Sequence, residues 1–232
     1  MKVVGIDSCP LGWIAILYEH QKFAFEAIES IGELMELHPD LKRIFIDIPI
    51  GLSSKTFERT VESSLRKELG NRPSTIFTPA CREAIYAFNY DEAKEINKKI
   101  VGKSVSIQSY NISKKIKEVD LFLETKQEHL EIYESHPEIC FKYLNNEKVI
   151  QSKKSTPEGF QERFQILINS YPELEQVYNS IQNSFAKSKV KPDDILDAMV
   201  LCVSNLNSGD NHRFFQDENN IDEKGIFVRI GY

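Results

Sequence analysis

The chain has 232 residues, 41% of them apolar and 28% charged, with 10 glycines and 9 prolines. This is the composition of a globular protein with enough chain to bury a core without staples. Lys and Arg number 29 against 35 Asp and Glu, a formal charge of −6, so no global positive field draws in a polyanion and a generic basic coat for nucleic acid is excluded. No run approaches the roughly 20 uninterrupted apolar residues of a membrane span, and after Lys2 the first apolar run stops at Asp7, too early for the h-region of a signal peptide. Cys9, Cys81, Cys140 and Cys202 stand far apart without a CxxC pair, which predicts reduced, mostly buried thiols in a cytoplasmic protein.

In chain order, Lys2 to Asp7 is a β-branched run ending in a carboxylate, followed by the turn cluster Ser8 to Gly12. Trp13 to Tyr18 and Lys22 to Ile28, separated by the polar Glu19-His20-Gln21, complete a three-stranded antiparallel meander. Ser30 and Glu33 have capping-box spacing at the start of a short helix to Leu37. Arg43 to Pro49 is apolar nearly throughout, as a central strand covered on both faces would be. Helices are predicted over Lys55 to Leu69, ending at Gly70, over Asp91 to Val101, ending at Gly102, and over Ser109 to Glu124. An extended, proline-bounded loop, Arg72 to Arg82, lies between the first two. Leu130 to Glu134 returns as a strand. Further helices start at Thr156-Pro157, near Tyr171-Pro172 and at Pro192, the last running to about Leu206, and Gly225 to Ile230 closes the chain as a strand. The order predicts an α/β fold with a mixed sheet, in one domain over residues 1–232 carrying a helical insertion at about 53–128.

Acidic residues recur at strand ends. Asp7 closes the first strand, Asp47 lies near the end of the fourth and Glu134 closes the fifth, and ligands of open parallel sheets bind at such carboxyl ends. Asp194 and Asp197, three apart, share one face of the last helix. Oxygen ligands of this kind suit Mg²⁺ or Mn²⁺, and two such ions about 3.5–4 Å apart clamp the attacking and leaving oxygens of a phosphodiester. Blander roles compete: Asp47 as a turn former, Asp193 as an N-cap, Asp194 as a complement to the helix dipole. Asp197 resists them, because it sits one turn inside an apolar helix.

Basic residues supply phosphate-binding candidates. Lys153 and Lys154 precede a helix start, and Arg72 and Arg82 bracket the stiff loop; each has a structural alternative as a solvated turn or an acid's partner. Arg59 and Arg66, seven apart, fall on one face of the first insertion helix. Lys94, Lys98, Lys99, Lys103, Lys114, Lys115 and Lys117 make a local basic region that reads as a solvated face or a grip on a nucleic-acid backbone. His136 is a candidate to orient water or a plain loop residue, and Trp13 is expected in the core or as a turn anchor.

Val4-Gly5-Ile6-Asp7 with Gly12-Trp13, Ile46-Asp47-Ile48-Pro49-Ile50-Gly51-Leu52, Arg72-Pro73-Ser74 through Phe77-Thr78-Pro79 to Arg82, Gln108, Glu134-Ser135-His136-Pro137-Glu138, Ser152-Lys153-Lys154 with Gly159 and Arg163, and Asp194-Ile195-Leu196-Asp197-Ala198 together resemble the family known as domain of unknown function 429, described as ribonuclease H-like nucleases. The last stretch is also similar to the final acidic motif of Holliday junction resolvases of the RuvC type. The resemblance implies a ribonuclease H-like fold, a mixed five-stranded sheet with three antiparallel strands then parallel ones, flanked by helices. It also implies that Asp7 bridges two Mg²⁺ ions while Asp47, Asp194 and Asp197 support them. Resolvases usually carry Glu on the fourth strand, so the shorter Asp47 leaves Glu134 to compensate.

The function expected is therefore Mg²⁺- or Mn²⁺-dependent hydrolysis of nucleic acid, DNA or RNA, by two ions. Asp7, Asp47, Glu134, Asp194 and Asp197 are the expected ligands; Arg72, Arg82, Lys153 and Lys154 are the expected substrate contacts. A second copy of the chain is a further expected partner, and a membrane is not. Two alternatives stand beside it. One is a catalytically inactive ribonuclease H-like binding or scaffold module. The other is a nucleotide-phosphate enzyme of the actin-like or sugar-kinase class, for which the chain is short and lacks a Gly-rich adenosine segment.

Overall fold

The computed structural model describes residues 2–70 and 76–232. Its elements, in chain order, are β1 (Val3–Cys9), β2 (Gly12–Glu19), β3 (Lys22–Ile28), α1 (Ile31–Leu37), β4 (Arg43–Ile46), α2 (Val61–Leu69), α3 (Arg82–Ile85), α4 (Tyr90–Val101), α5 (Ile107–Asn111), α6 (Ser113–Thr125), β5 (Glu131–Ser135), α7 (Pro137–Leu144), α8 (Pro157–Ser170), α9 (Glu173–Ser184), α10 (Pro192–Ser208), β6 (Phe214–Ile221) and β7 (Phe227–Gly231). The class is α/β. The chain divides into two compact units: Met1–Asp47, Gln127–Arg213 and Gly231–Tyr232 in the first, Ile48–Lys126 and Phe214–Ile230 in the second. The expected insertion at about 53–128 falls on the second unit except for its last two residues, and that unit also takes in Phe214–Ile230.

In the first unit the strand order is β3-β2-β1-β4-β5. The meander expected from the sequence is present, β1 pairing antiparallel with β2 and β2 with β3, while β4 runs parallel to both β1 and β5. The apolar runs of β1, β2 and β4 are buried along nearly their whole length, as strands covered on both faces must be. Trp13 is fully buried, as expected.

Helix α10 is apolar around much of its circumference, with Ile195 through Asn205 all buried, and it is seated against β1 by a glycine. A Cβ on Gly5 would stand 2.0 Å from the Cys202 amide nitrogen and 2.4 Å from the Ala198 carbonyl, so only glycine lets the helix backbone come this close to the strand. Further along, the buried Asn205 side chain donates to the Val4 carbonyl at 2.8 Å and the Arg43 carbonyl at 3.1 Å, and the Arg43 guanidinium returns bonds to the Asn205 and Gly209 carbonyls at 2.7 Å. Asn205 therefore sits at Val4 while Ala198 sits at Gly5. The helix runs antiparallel to β1, which brings its first turns toward Asp7.

In the second unit, the helix expected from Lys55 begins only at Val61. The preceding residues are claimed by hydroxyl and guanidinium bonds: the Arg59 amide donates to Ser53 Oγ at 2.9 Å, and the Arg59 side chain donates to the Ile50 and Gly51 carbonyls at 2.9 and 2.8 Å. Arg59 is thus buried and off the helix rather than on one face of it with Arg66. Seven strands are present among the described residues, not five. The polar β6, Phe-Phe-Gln-Asp-Glu-Asn-Asn-Ile, has no alternating pattern to announce it and is a strand because it hydrogen-bonds along β7. Helix α7 was also not foreseen; its Pro137 at the first helical position reads equally as a turn.

Candidate active site: a carboxylate cluster with one lysine

The cluster lies in the first unit. Gly5 faces α10, so Asp7, two residues on, points to the same side of the sheet. The ladder Ile6↔Ile46 continues in a bond from the Asp47 amide to the Ile6 carbonyl at 3.0 Å, which sets Asp47 beside Asp7 at the spacing of neighbouring strands, about 4.8 Å. Asp194 and Asp197 enter from the first turns of α10. Asp7 and Asp197 are buried, and Asp47 and Asp194 partly so.

Electrostatics confirm that these groups feel one another. Burial, with the charges of Asp47, Asp197 and Asp194 added, pushes the Asp7 carboxyl well above the usual carboxylate range, with Lys154 pulling the other way. Burial raises Asp47 to about 6 against the pull of Lys154, with Glu138 adding to the rise. Asp197 is likewise raised to about 6, by burial and then by Asp47 and Glu138, against Lys154. Asp194 is raised to about 6 by burial and Asp193. Carboxylates brought together without enough positive charge behave in this way.

An ammonium reaches the cluster from the turn before α8. Lys154 Nζ donates to Asp197 Oδ2 at 2.7 Å, with the lysine side chain 46% exposed and the aspartate 3%. That turn is held by backbone. A Cβ on Gly159 would meet the Lys153 carbonyl at 2.0 Å, Thr156 Oγ1 donates to the same carbonyl at 2.8 Å, and Arg163 donates to the Ser152 carbonyl at 3.2 and 3.3 Å. Arg163 also grips Glu138 with two nitrogens, at 2.8 to 3.1 Å. Glu138 belongs to the site's surroundings although it carried no assigned role in the sequence; its place in Glu134-Ser135-His136-Pro137-Glu138 was the available signal.

Three expectations are corrected. The register Ile46↔Glu134 puts Glu134 on the sheet face of Ile6 and Ile46, opposite that of Asp7, so strand-end position alone does not bring it into the cluster. Arg82 lies in the second unit, buried, and pairs with Asp120 and Asp222; its guanidinium is committed to these acids rather than to a phosphate. Asp193 is not the N-cap of α10. Lys191 is, and its amide donates to Asp194 Oδ2 at 3.3 Å, so Asp194 also serves the helix start.

Lys153 is exposed beside Lys154. Arg72 lies outside the described residues. In the basic region, Lys94 pairs with Asp91 at 2.8 Å, Lys115 with Glu118 at 3.7 Å, and Lys117 lies 4.7 Å from the Tyr86 ring centroid. All four cysteines are buried and unbridged. No described helix is long and apolar enough to cross a membrane.

The donor set of the cluster is carboxylate oxygen alone, which fits a hard ion such as Mg²⁺ or Mn²⁺ in chemistry and charge. Among the described residues no group of three His, Cys, Asp or Glu is close enough to hold an ion, and Asp197 is paired with Lys154. The ammonium stands where positive charge is needed.

Among known proteins, no curated sequence and no solved structure shows a significant match to the chain. One family model does match, over residues 5–220, a span that contains every residue of the cluster. The chain therefore belongs to the family described as protein of unknown function (DUF429).

Proposed function

We propose that the chain is a divalent-metal-dependent hydrolase of phosphodiester bonds in nucleic acid, built on a ribonuclease H-like unit. The observation that carries this reading is the convergence of Asp7, Asp47, Asp194 and Asp197 from three separate elements, with Lys154 bonded to Asp197. Buried like charges are costly, and a cluster that raises its own members' protonation has a use when a cation comes to it. The order β3-β2-β1-β4-β5 with α10 along β1 supports the fold reading.

Asp7, Asp47 and Asp197 would hold Mg²⁺ or Mn²⁺, with Asp194 at the rim. Such ions supply Lewis-acid stabilisation of the charge that builds on a phosphate during in-line displacement. The protein's own part is to fix the carboxylates on rigid elements, through the Gly5 contact and the Asn205 bonds, and to present Lys153 and Lys154 from one held turn to the substrate phosphate. The four buried free thiols support a cytoplasmic setting. A homodimer is a further part of the proposal, checked by sedimentation.

The test is cleavage of a panel of DNA, RNA, hybrid and branched oligonucleotides with Mn²⁺, wild type against Asp197→Asn. Metal-dependent cleavage by wild type alone supports the reading; equal residual cleavage by both proteins ends it. The rival reading, a binding or scaffold module without catalysis, has one specific observation in its favour: Asp197 already has an ionic partner and Asp194 a capping role. A protein whose melting temperature ignores Mg²⁺ and Mn²⁺ would fit that module instead.

A further inference from the structure

Among the described residues, the cation bonded to a buried carboxylate of the cluster is Lys154, and it acts on Asp7, Asp47 and Asp197 alike. Arg163, which holds the turn that carries Lys154, is engaged bidentately by Glu138. Lys154 Nζ bonds Asp197 Oδ2 at 2.7 Å, where the carboxylate is 3% exposed and the lysine side chain 46%. The ammonium therefore occupies one of the carboxylates that a metal ion would use.

Its backbone and its head group are restrained very differently. The Lys153 carbonyl is pinned by Thr156 and packed against Gly159, and the Ser152 carbonyl is held by Arg163. The side chain beyond is nearly half exposed, on a stem of four methylenes with a compact, strongly hydrated ammonium.

We propose that Lys154 is a built-in, displaceable counter-cation: it neutralises the carboxylates in the resting protein, a divalent ion takes its place, and the released ammonium is left at the mouth of the cluster to meet the substrate phosphate. The proposal rests on the metal-dependent reading above and deepens it. Displacement makes resting metal affinity weaker than the carboxylates alone would give. A bound phosphate, by offering the ammonium a new partner, strengthens metal binding, and the coupling is reciprocal.

The experiment titrates Mn²⁺ at pH 8 into wild type and Lys154→Met, reading free Mn²⁺ by electron paramagnetic resonance. In parallel, the rate at which an N-hydroxysuccinimide ester acylates Lys154 in wild type is followed by peptide mass spectrometry, with and without Mn²⁺. Removing a unit charge at contact distance is expected to tighten Mn²⁺ binding by about tenfold or more, and Mn²⁺ is expected to speed Lys154 acylation several-fold. Unchanged or weaker Mn²⁺ affinity in a folded Lys154→Met protein overturns the proposal while leaving the metal reading intact, and so does an acylation rate indifferent to Mn²⁺. If the variant does not fold, the wild-type acylation rate decides alone. Absence of Mn²⁺ binding to either protein overturns the metal reading and the proposal together.

Discussion

Each unit of the chain buries a group of acids with basic partners, and the two groups are balanced in opposite ways. In the second unit, Arg82 lies between Asp120 and Asp222, while Lys224 reaches Asp120 at 3.0 Å and Glu124 at the rim. Asp120 also accepts from the Tyr86 hydroxyl at 2.8 Å. Burial alone would raise the Asp120 carboxyl, but the bonds from Tyr86, Lys224 and Arg82 outweigh it and hold it below the usual range. In the first unit, Asp7, Asp47 and Asp197 face the half-exposed Lys154 and Asp194 faces Lys191, yet all four carboxyls are raised. A satisfied network gives rigidity to the fold. An unsatisfied one keeps a demand for charge, which is what distinguishes a candidate site from a structural ion cluster.

The contrast breaks most visibly at Arg82. Arg82→Met leaves Asp120 and Asp222 buried with their main cation gone, and is expected to cost about 3–5 kcal/mol in chemical denaturation. A loss under 1 kcal/mol, together with a weakened KM for an oligonucleotide, would instead restore the phosphate-binding role read from the sequence. Gly159→Ala comes next. Its new methyl would have to displace the Lys153 carbonyl, a backbone atom, so a loss of about 1–3 kcal/mol is expected. That loss should come with faster acylation of Lys154, because the turn that presents it must shift.

In the first unit the sign reverses. Asp7→Asn removes a carboxylate that burial and three neighbours disfavour, so the metal-free protein should gain about 1 kcal/mol while metal-dependent cleavage disappears, a trade of stability against function. The pH dependence follows the same logic. Asp47, Asp194 and Asp197 have folded values of about 6 against an ordinary 3.8, so the folded state keeps protons that the unfolded chain has released. Their contribution is complete below the unfolded value and is lost as pH rises through about 6. Asp120 acts oppositely, contributing above the unfolded value and losing it as pH falls through its lowered one. Calorimetry without metal should therefore find the melting temperature higher at pH 5 than at pH 7.5, by about 3 °C or more. Mn²⁺ should narrow the gap by stabilising the protein at the higher pH. A protein that is more stable at pH 7.5 without metal contradicts the charge imbalance.

How much of this was legible in the sequence depended on how far apart the interacting residues lie. The meander could be read because Lys22 to Ile28 and its partners carry apolar runs with a polar turn between them, and the α10 acids could be read because Asp197 interrupts an apolar helix. Strand register was not visible, and register removes Glu134 from the cluster: a carboxylate at a strand end faces one side or the other by a single residue. Lys55 to Thr60 has ordinary helix formers, yet α2 starts only at Val61, because Ser53, Ile50 and Gly51, several residues away, take the Arg59 groups. The partners of Arg82 are hidden from local pattern for the same reason; Asp120 and Asp222 are 38 and 140 positions away. Local pattern reports propensity and periodicity, whereas partner choice by a charged side chain is decided in the folded chain.

The smallest expected effect belongs to Lys153, and it tests whether charge at this turn matters by place or by number. Its carbonyl is the anchored group, bonded by the Thr156 hydroxyl at 2.8 Å and the Thr156 amide at 3.0 Å, while its side chain extends into solvent. Lys153→Ala keeps that carbonyl and removes only an exposed ammonium, so stability should stay within about 0.5 kcal/mol of wild type. Mn²⁺ affinity should be unaltered, because the Lys153 side chain is exposed to solvent. An effect should appear only toward a polyanion: a rise of about two- to threefold in KM for an oligonucleotide at low salt, fading as salt screens it. If Lys153→Ala tightened Mn²⁺ binding as much as Lys154→Met, overall positive charge rather than the Lys154 contact would control the cluster, and the distinction between adjacent lysines would collapse.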